Sequence, residues 1–136
     1  MYLIDTDVLS ELRKPRPNGN VLDWMSRRNP AELFISAITV MEIERGIQKQ
    51  RGANPDHANI LEEWLLKNLT QYGERVLAIT SQVARRWGRM QIQLQRDDDD
   101  IAIAAIALEH NLTVVTRNVR HFDKTGVAIL NPFDAA

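Results

Sequence analysis

Tyr2-Leu3-Ile4-Asp5-Thr6-Asp7-Val8-Leu9-Ser10-Glu11-Leu12 changes character at its middle. The apolar start reads as a buried strand over residues 2–5. Thr6 or Asp7 is then the N-cap of a helix that must end before Pro15, because both residue types satisfy free N–H groups at a helix start. A short strand that runs directly into a helix, with carboxylates at the join, is the βα turn of an open α/β sheet. Ligands in such sheets collect outside the carboxyl ends of the strands.

The same alternation continues along the chain. Pro15, Pro17, Asn18 and Gly19 make a break, and Val21, Trp24 and Met25 mark one face of a helix over about 20–28. A strand over 33–36 leads into a helix of about 39–51 that ends near Gly52 and Pro55. Ile60, Leu61, Trp64, Leu65 and Leu69 give helical spacing over 57–69. Residues 76–79 read as a third strand. Val83, Trp87, Met90 and Leu94 mark another amphipathic helix. Residues 100–109 are apolar nearly all round, as in a helix buried between layers, and strands follow over 113–116 and 127–130. Five short strands interleaved with helices predict a largely parallel sheet covered on both faces, a three-layer α/β/α sandwich. Alanines 102, 104, 105 and 107 permit close packing that brings Asp100 to the strand ends. Trp24, Trp64 and Trp87 lie on apolar faces and are expected to pack in the core.

The chain has 136 residues, 44% hydrophobic, with no cysteine. One domain over 1–136 can bury a core of its own, and disulfides and thiolate zinc sites are excluded. No apolar stretch approaches transmembrane length, so a cytoplasmic protein without membrane attachment is expected. The net charge of −1 argues against indiscriminate coating of DNA, yet the charges are grouped. Arg13, Lys14 and Arg16 cluster, as do Arg85, Arg86 and Arg89. Arg117 lies near Arg120, His121 and Lys124, while acids concentrate at 97–100. A negative centre with positive flanks suits a cation site that must still attract a polyanion.

Four acidic or near-acidic positions stand at strand ends or helix starts in this pattern: Asp5 after the first strand, Glu42 just inside the helix after the second, Asp100 opening the helix that starts at Ile101, and Asn118 after Thr113-Val114-Val115-Thr116. Carboxylates gathered at strand ends repel one another unless protons or a divalent cation neutralise them. Asp5 is placed to ligate Mg²⁺ directly, with Thr6 or Asp7 as cap or water-mediated neighbour. Glu42 shares a helical face with Gly46, which would clear space above it. Glu44 lies about 200° round the helix and is expected in solvent. Capping explains one or two of the four consecutive aspartates, but not all. Asp97 and Asp100, three apart, are the pair that can share a face, with Asp98 and Asp99 directed elsewhere.

Taken together these segments resemble PIN-domain ribonucleases of the VapC type, in particular the FitB-like branch. Ile4-Asp5-Thr6-Asp7-Val8-Leu9-Ser10-Glu11-Leu12 stands where the family usually reads I-D-T-N-V-L-S-E-L. Ser36 to Ile47 follows S-x-x-(S/T)-x-x-E-(I/L)-x-x-G, and Asp100 to Ala105 matches D-x-x-I-A-A. Val115-Thr116-Arg117-Asn118 and Leu130-Asn131-Pro132-Phe133 match the closing motifs. The match runs in order from residue 2 to 133.

The resemblance implies a PIN-like fold and a Mg²⁺- or Mn²⁺-dependent endoribonuclease, the toxin of a type II toxin–antitoxin pair. It implies that Asp5, Glu42 and Asp100 are catalytic and bind the metal, with Asp97 in reserve. Many family members carry a fourth acid where this chain has Asn118. Asp7, where Asn is usual, restores some of that charge, and Thr116 is a supporting hydroxyl. Arg117 is a candidate for positioning a phosphate, its alternative being a structural salt bridge. No histidine is required, and His57, His110 and His121 fall outside the motifs. The implied partners are RNA, a small antitoxin that inserts a basic side chain among the acids, and a second copy of the chain in a homodimer. Without a DNA-binding motif of its own, the chain would bind an operator only through its partner. Two rival readings exist. One is a phosphatase of the haloacid dehalogenase class, suggested by Asp5-x-Asp7. The other is a catalytically weak PIN-fold binding module, suggested by Asn118.

Overall fold

A computed structural model of the protein describes residues 1–135. Strand β1, Tyr2–Ile4, is the centre of a five-stranded, wholly parallel sheet. On one side of it lie β2 (Leu33–Ser36) and then β3 (Val76–Leu77). On the other lie β4 (Thr113–Val115) and then β5 (Ile129–Leu130). The order β3-β2-β1-β4-β5 reverses direction at β1. The crevice at the carboxyl ends of β1 and β4 is therefore the position where such sheets take their ligands.

Successive residues of a strand point to opposite faces, so Leu3 and Ile4 feed two separate cores. Leu3 and Val114 pack with helices α5 (Ser81–Leu94) and α6 (Asp99–His110). Ile4, Ile35 and Val115 pack with α1 (Thr6–Glu11), α2 (Gly19–Ser26), α3 (Ala37–Ala53) and α4 (Pro55–Tyr72). Helix α6 is the most enclosed element, with Ile101 through Ala107 all buried. Its alanines let it approach the sheet, and its acidic first turn emerges at the strand ends, where a helix start favours negative charge. A one-turn helix, α7 (Val119–Phe122), follows β4.

The expected architecture is present, with shifted boundaries. The first strand stops at Ile4, and Asp5 rather than Thr6 or Asp7 caps α1, its carboxylate accepting the Thr6 N–H at 2.8 Å. Helix α3 starts two residues earlier than its periodicity suggests, because Ser36 caps it by accepting the Thr39 N–H at 3.0 Å. The strands expected over 76–79 and 127–130 pair only at 76–77 and 129–130. Both are edge strands, with one neighbour each to define them. Helix α4 runs on to Tyr72 and stops at Gly73, whose φ of 53° with ψ of −120° suits a residue without a side chain. The three tryptophans are half-buried at the margins of the cores. Trp24 meets Tyr2 edge-on at 4.9 Å and carries the Arg28 guanidinium at 4.8 Å.

Candidate metal centre

Asp5 stands at the end of β1, its backbone N–H still donating to Val115 in the adjoining strand at 2.9 Å. It is 3% exposed. Its carboxylate is not left against hydrocarbon, since it also accepts a hydrogen bond from the Thr116 hydroxyl at 2.8 Å. Thr116, itself fully buried, accepts the Asn118 N–H at 3.0 Å and lies 3.5 Å from Asp7 Oδ2. Asp7 Oδ2 is held by the Arg117 N–H at 3.0 Å. Asp7 Oδ1 is buried with no hydrogen-bond partner.

Glu42 enters from α3. Its Oε1 accepts the Thr6 hydroxyl at 2.7 Å, and Thr6 Oγ1 lies 2.9 Å from Thr39 Oγ1. Thr6 therefore orients an acid from another helix. Gly46 does not clear space for it: a methyl group there would meet nothing within 4 Å. Asp100 enters from the first turn of α6, where His121 Nδ1 lies 2.7 Å from its Oδ2.

The aspartate run resolves differently from its spacing. Helix α6 begins only at Asp99, so Asp97 and Asp100 do not share a helical face. Asp97 is exposed, and Asp98 is clamped by Arg96 through two bonds of 2.8 Å. Asp99, expected to point elsewhere, faces the cleft side: Arg45 Nη2 bridges it at 3.2 Å to Glu42 at 3.9 Å. Asp99 and His121 are the two participants that sequence reasoning missed. The signal for Asp99 was its place in the first helical turn beside Asp100. That for His121 was its position three residues after Asn118, one turn along α7, where the His121 N–H donates to the Asn118 carbonyl. Glu44 is exposed and accepts a bond from Gln48. Arg117 forms no salt bridge among the described residues; its guanidinium lies 4.5 Å from the centre of the Phe133 ring.

These acids act on one another. Burial, and then the charge of Asp7, push the Asp5 carboxyl up to about 7 against the hydrogen bonds from Thr116 and Thr6, with Asp100 adding to the rise. Asp7 is raised by burial, opposed first by the Arg117 N–H. Glu42 is raised by burial, opposed by the Thr6 hydroxyl and reinforced by Asp99 and Asp100. Among the described residues, no three histidine, aspartate or glutamate side chains surround one point closely enough to hold an ion as they stand. The acids are instead held by Thr6, Thr116, His121 and Arg45. The donor set nonetheless fits a hard cation. Its acids offer only oxygen, no cysteine competes, and the buried Asp7 Oδ1 lacks any other counterpart.

A pH test follows for metal-free protein. Between the ordinary aspartate value and about 7, folded Asp5 keeps a proton that the unfolded chain has released. Stability then falls as pH rises through that window. Thermal melts in chelator should give a lower melting temperature at pH 8 than at pH 5, and excess Mn²⁺ should restore it at pH 8. A metal-free melting temperature that climbs between those values would contradict the crowding of charge described here.

Comparison with known proteins decides the family. The PIN domain family model matches residues 2–128. The chain is a PIN domain. Its relatives include the plasmid stability protein StbB of Pseudomonas syringae pv. tomato, 34% identical, covering 99% of this chain and all of that one. Toxin FitB of Neisseria gonorrhoeae is 33% identical, covering 98% of this chain and 99% of that one. The VapC ribonuclease Y4jK of Sinorhizobium fredii is 32% identical over the whole of both. Among solved structures, FitAcB from Neisseria gonorrhoeae superposes with a TM-score of 0.86 at 32% identity, covering 98% of this chain and 99% of that one. FitAB bound to an IR36 DNA fragment gives 0.86 at 30%, covering all of this chain and 98% of that one. The three-layer α/β/α sandwich with its parallel five-stranded sheet is thus the fold of this PIN domain, and it superposes on those two structures over nearly its whole length.

Proposed function

We propose that this PIN domain is a metal-dependent endoribonuclease and the toxin of a toxin–antitoxin pair, with residues 1–136 acting as one unit. The observation that carries the reading is the assembly of Asp5, Glu42 and Asp100, from three separate elements, at the switch point of the sheet. Relatives named as a toxin and a ribonuclease, matched over nearly their whole length, support it.

In this reading Asp5, Glu42 and Asp100 would hold Mg²⁺ or Mn²⁺, with Asp7 and Asn118 beside them. When bound there, a divalent ion supplies an acidified water and neutralises charge on the phosphate oxygens. The chain's own contribution is positional. Thr116 and the Thr6 N–H orient Asp5, the Thr6 hydroxyl orients Glu42, and His121 orients Asp100. Arg117, fixed over Phe133, is available to a phosphate. A single-stranded or looped RNA is the fitting substrate, since its scissile phosphate must reach a cleft.

A divalent-ion titration against a panel of RNAs tests the activity. Cleavage that appears with Mg²⁺ or Mn²⁺ and vanishes in chelator is expected. Tight RNA binding without cleavage under any ion would favour the binding-module reading, for which the amide of Asn118, in place of a fourth acid, is the supporting observation. Asn118→Asp adds a charge beside Thr116 and should tighten Mn²⁺ binding by calorimetry. Unchanged affinity would place residue 118 outside the coordination sphere.

The partner would be a small antitoxin, a reading supported by a relative named as a toxin. An arginine from it, entering between paired carboxylates, fits the acidic crevice. Arg45 already occupies part of that ground between Glu42 and Asp99. We further propose a homodimer in the cytoplasm, with any DNA binding supplied by the partner. No helix among the described residues is long and apolar enough to cross a membrane.

A further inference from the structure

We propose that the hollow beside the carboxylates, walled by Arg117, Asn118, Val119, Arg120, His121 and Asn131, seats a backbone phosphate of single-stranded RNA flanking the scissile one. The proposal rests on the ribonuclease reading and adds to it a second, metal-independent subsite. The hollow holds about 350 Å³ and has no acidic side chain in its wall. It is joined to the acids by two hydrogen bonds. The Arg117 N–H reaches Asp7, and His121 Nδ1 lies against Asp100, which leaves the ring edge bearing Nε2 turned away from that acid.

Of the charges in this wall, His121 is held to Asp100 and Arg117 lies within the field of Glu11, but neither arginine closes an ion pair among the described residues. Arg27, Arg45, Arg51, Arg86 and Arg96 all close on carboxylates. Among the described residues, Arg117 and Arg120 have none within 4.0 Å. Arg117 is instead stacked on Phe133, which fixes its planar fork in advance and lowers the entropy lost on binding an anion. Arg120 is exposed on the turn that carries His121. A crowd of carboxylates repels a polyanion at the point of reaction. A cationic seat one step along the strand offsets that repulsion and sets the direction in which the RNA lies. The occupant is read through its phosphate rather than its base, so this seat is expected to be tolerant of sequence.

Fluorescence anisotropy of short single-stranded RNAs tests this on protein carrying Asp5→Asn, which prevents cutting. Adding Arg120→Ala should weaken binding about three- to tenfold and make the slope of log affinity against log salt shallower by about 0.7, the value for one lost phosphate contact on a single strand. Arg120→Lys should keep most of the affinity, and Arg117→Ala should weaken it. In otherwise wild-type protein, Arg120→Ala should raise KM with kcat within about twofold. Affinity and salt slope indifferent to Arg120 and Arg117 would overturn the proposal, as would a fall in kcat at constant KM. So would an Arg120→Ala protein that binds RNA normally but loses a captured protein partner. RNA bound through Arg120 yet never cut by wild type would leave the hollow standing and remove the ribonuclease reading. RNA cut by a protein indifferent to Arg120 would do the reverse.

Discussion

Asp5→Asn is expected to abolish metal-dependent RNA cleavage, a loss on the order of a hundredfold or more, with the fold intact. The amide is the same size; its one oxygen can keep the Thr6 N–H bond of the helix cap, while its NH2 stands where Oδ2 accepted from Thr116 and requires that hydroxyl to turn and accept instead. The formal charge does not survive, and the proposed cation site loses its most deeply placed acid. Removing a carboxylate that burial and Asp7 push up to about 7 also relieves repulsion in metal-free protein. The variant should therefore melt at or above the wild-type temperature in chelator, and gain less from added Mn²⁺. Cleavage at a comparable rate, in protein purified free of contaminating ribonuclease, would remove Asp5 from the mechanism.

The largest structural effect is expected from Ile106→Ala. Ile106 is fully buried in α6, packed in the core that also takes Leu3 and Val114 from the sheet. Truncation removes buried methylene groups and leaves a cavity that flanking alanines are too small to fill. The cost should be about 2–5 kcal/mol. That is a large share of the roughly 5–15 kcal/mol by which a domain is stable. Chemical denaturation should show a lower midpoint with an unchanged slope. A loss under about 1 kcal/mol, the size expected of a well-tolerated swap, would mean that α6 is not the packed centre of its layer.

The fold was legible because its signals are local. Tyr2-Leu3-Ile4 and Thr113-Val114-Val115 are short apolar runs. The helices between the strands are long enough to declare their period, and the all-apolar stretch of α6 could only be an enclosed helix. The edge strands were overextended because hydrophobic runs at 76–79 and 127–130 do not reveal where pairing ends. The site was legible in part for the same reason: Asp5 ends a strand, Glu42 lies in the second turn of the helix after β2, Asp100 lies in the first turn of α6, and topology brings these points together. What was not legible depended on exact helix starts. Helix α6, expected over 100–109, begins at Asp99, which brings Asp99 to Arg45 and leaves Asp97 in solvent. The turn of α7 that returns His121 to Asp100 spans four residues, too few for any period to reveal. Arg117 offered a charge but no sign that Phe133, sixteen residues on, would be its platform.

The central claim, that the acids at the end of β1 form one cation site, is tested most directly by crystals soaked in Mn²⁺ with data collected at the manganese absorption edge. The account predicts an anomalous peak within about 2.0–2.5 Å of oxygens from Asp5 and Asp100, with Glu42 bound directly or through water. A peak on Asp97 or Asp98 with nothing beside Asp5, or no peak at saturating Mn²⁺, would contradict it.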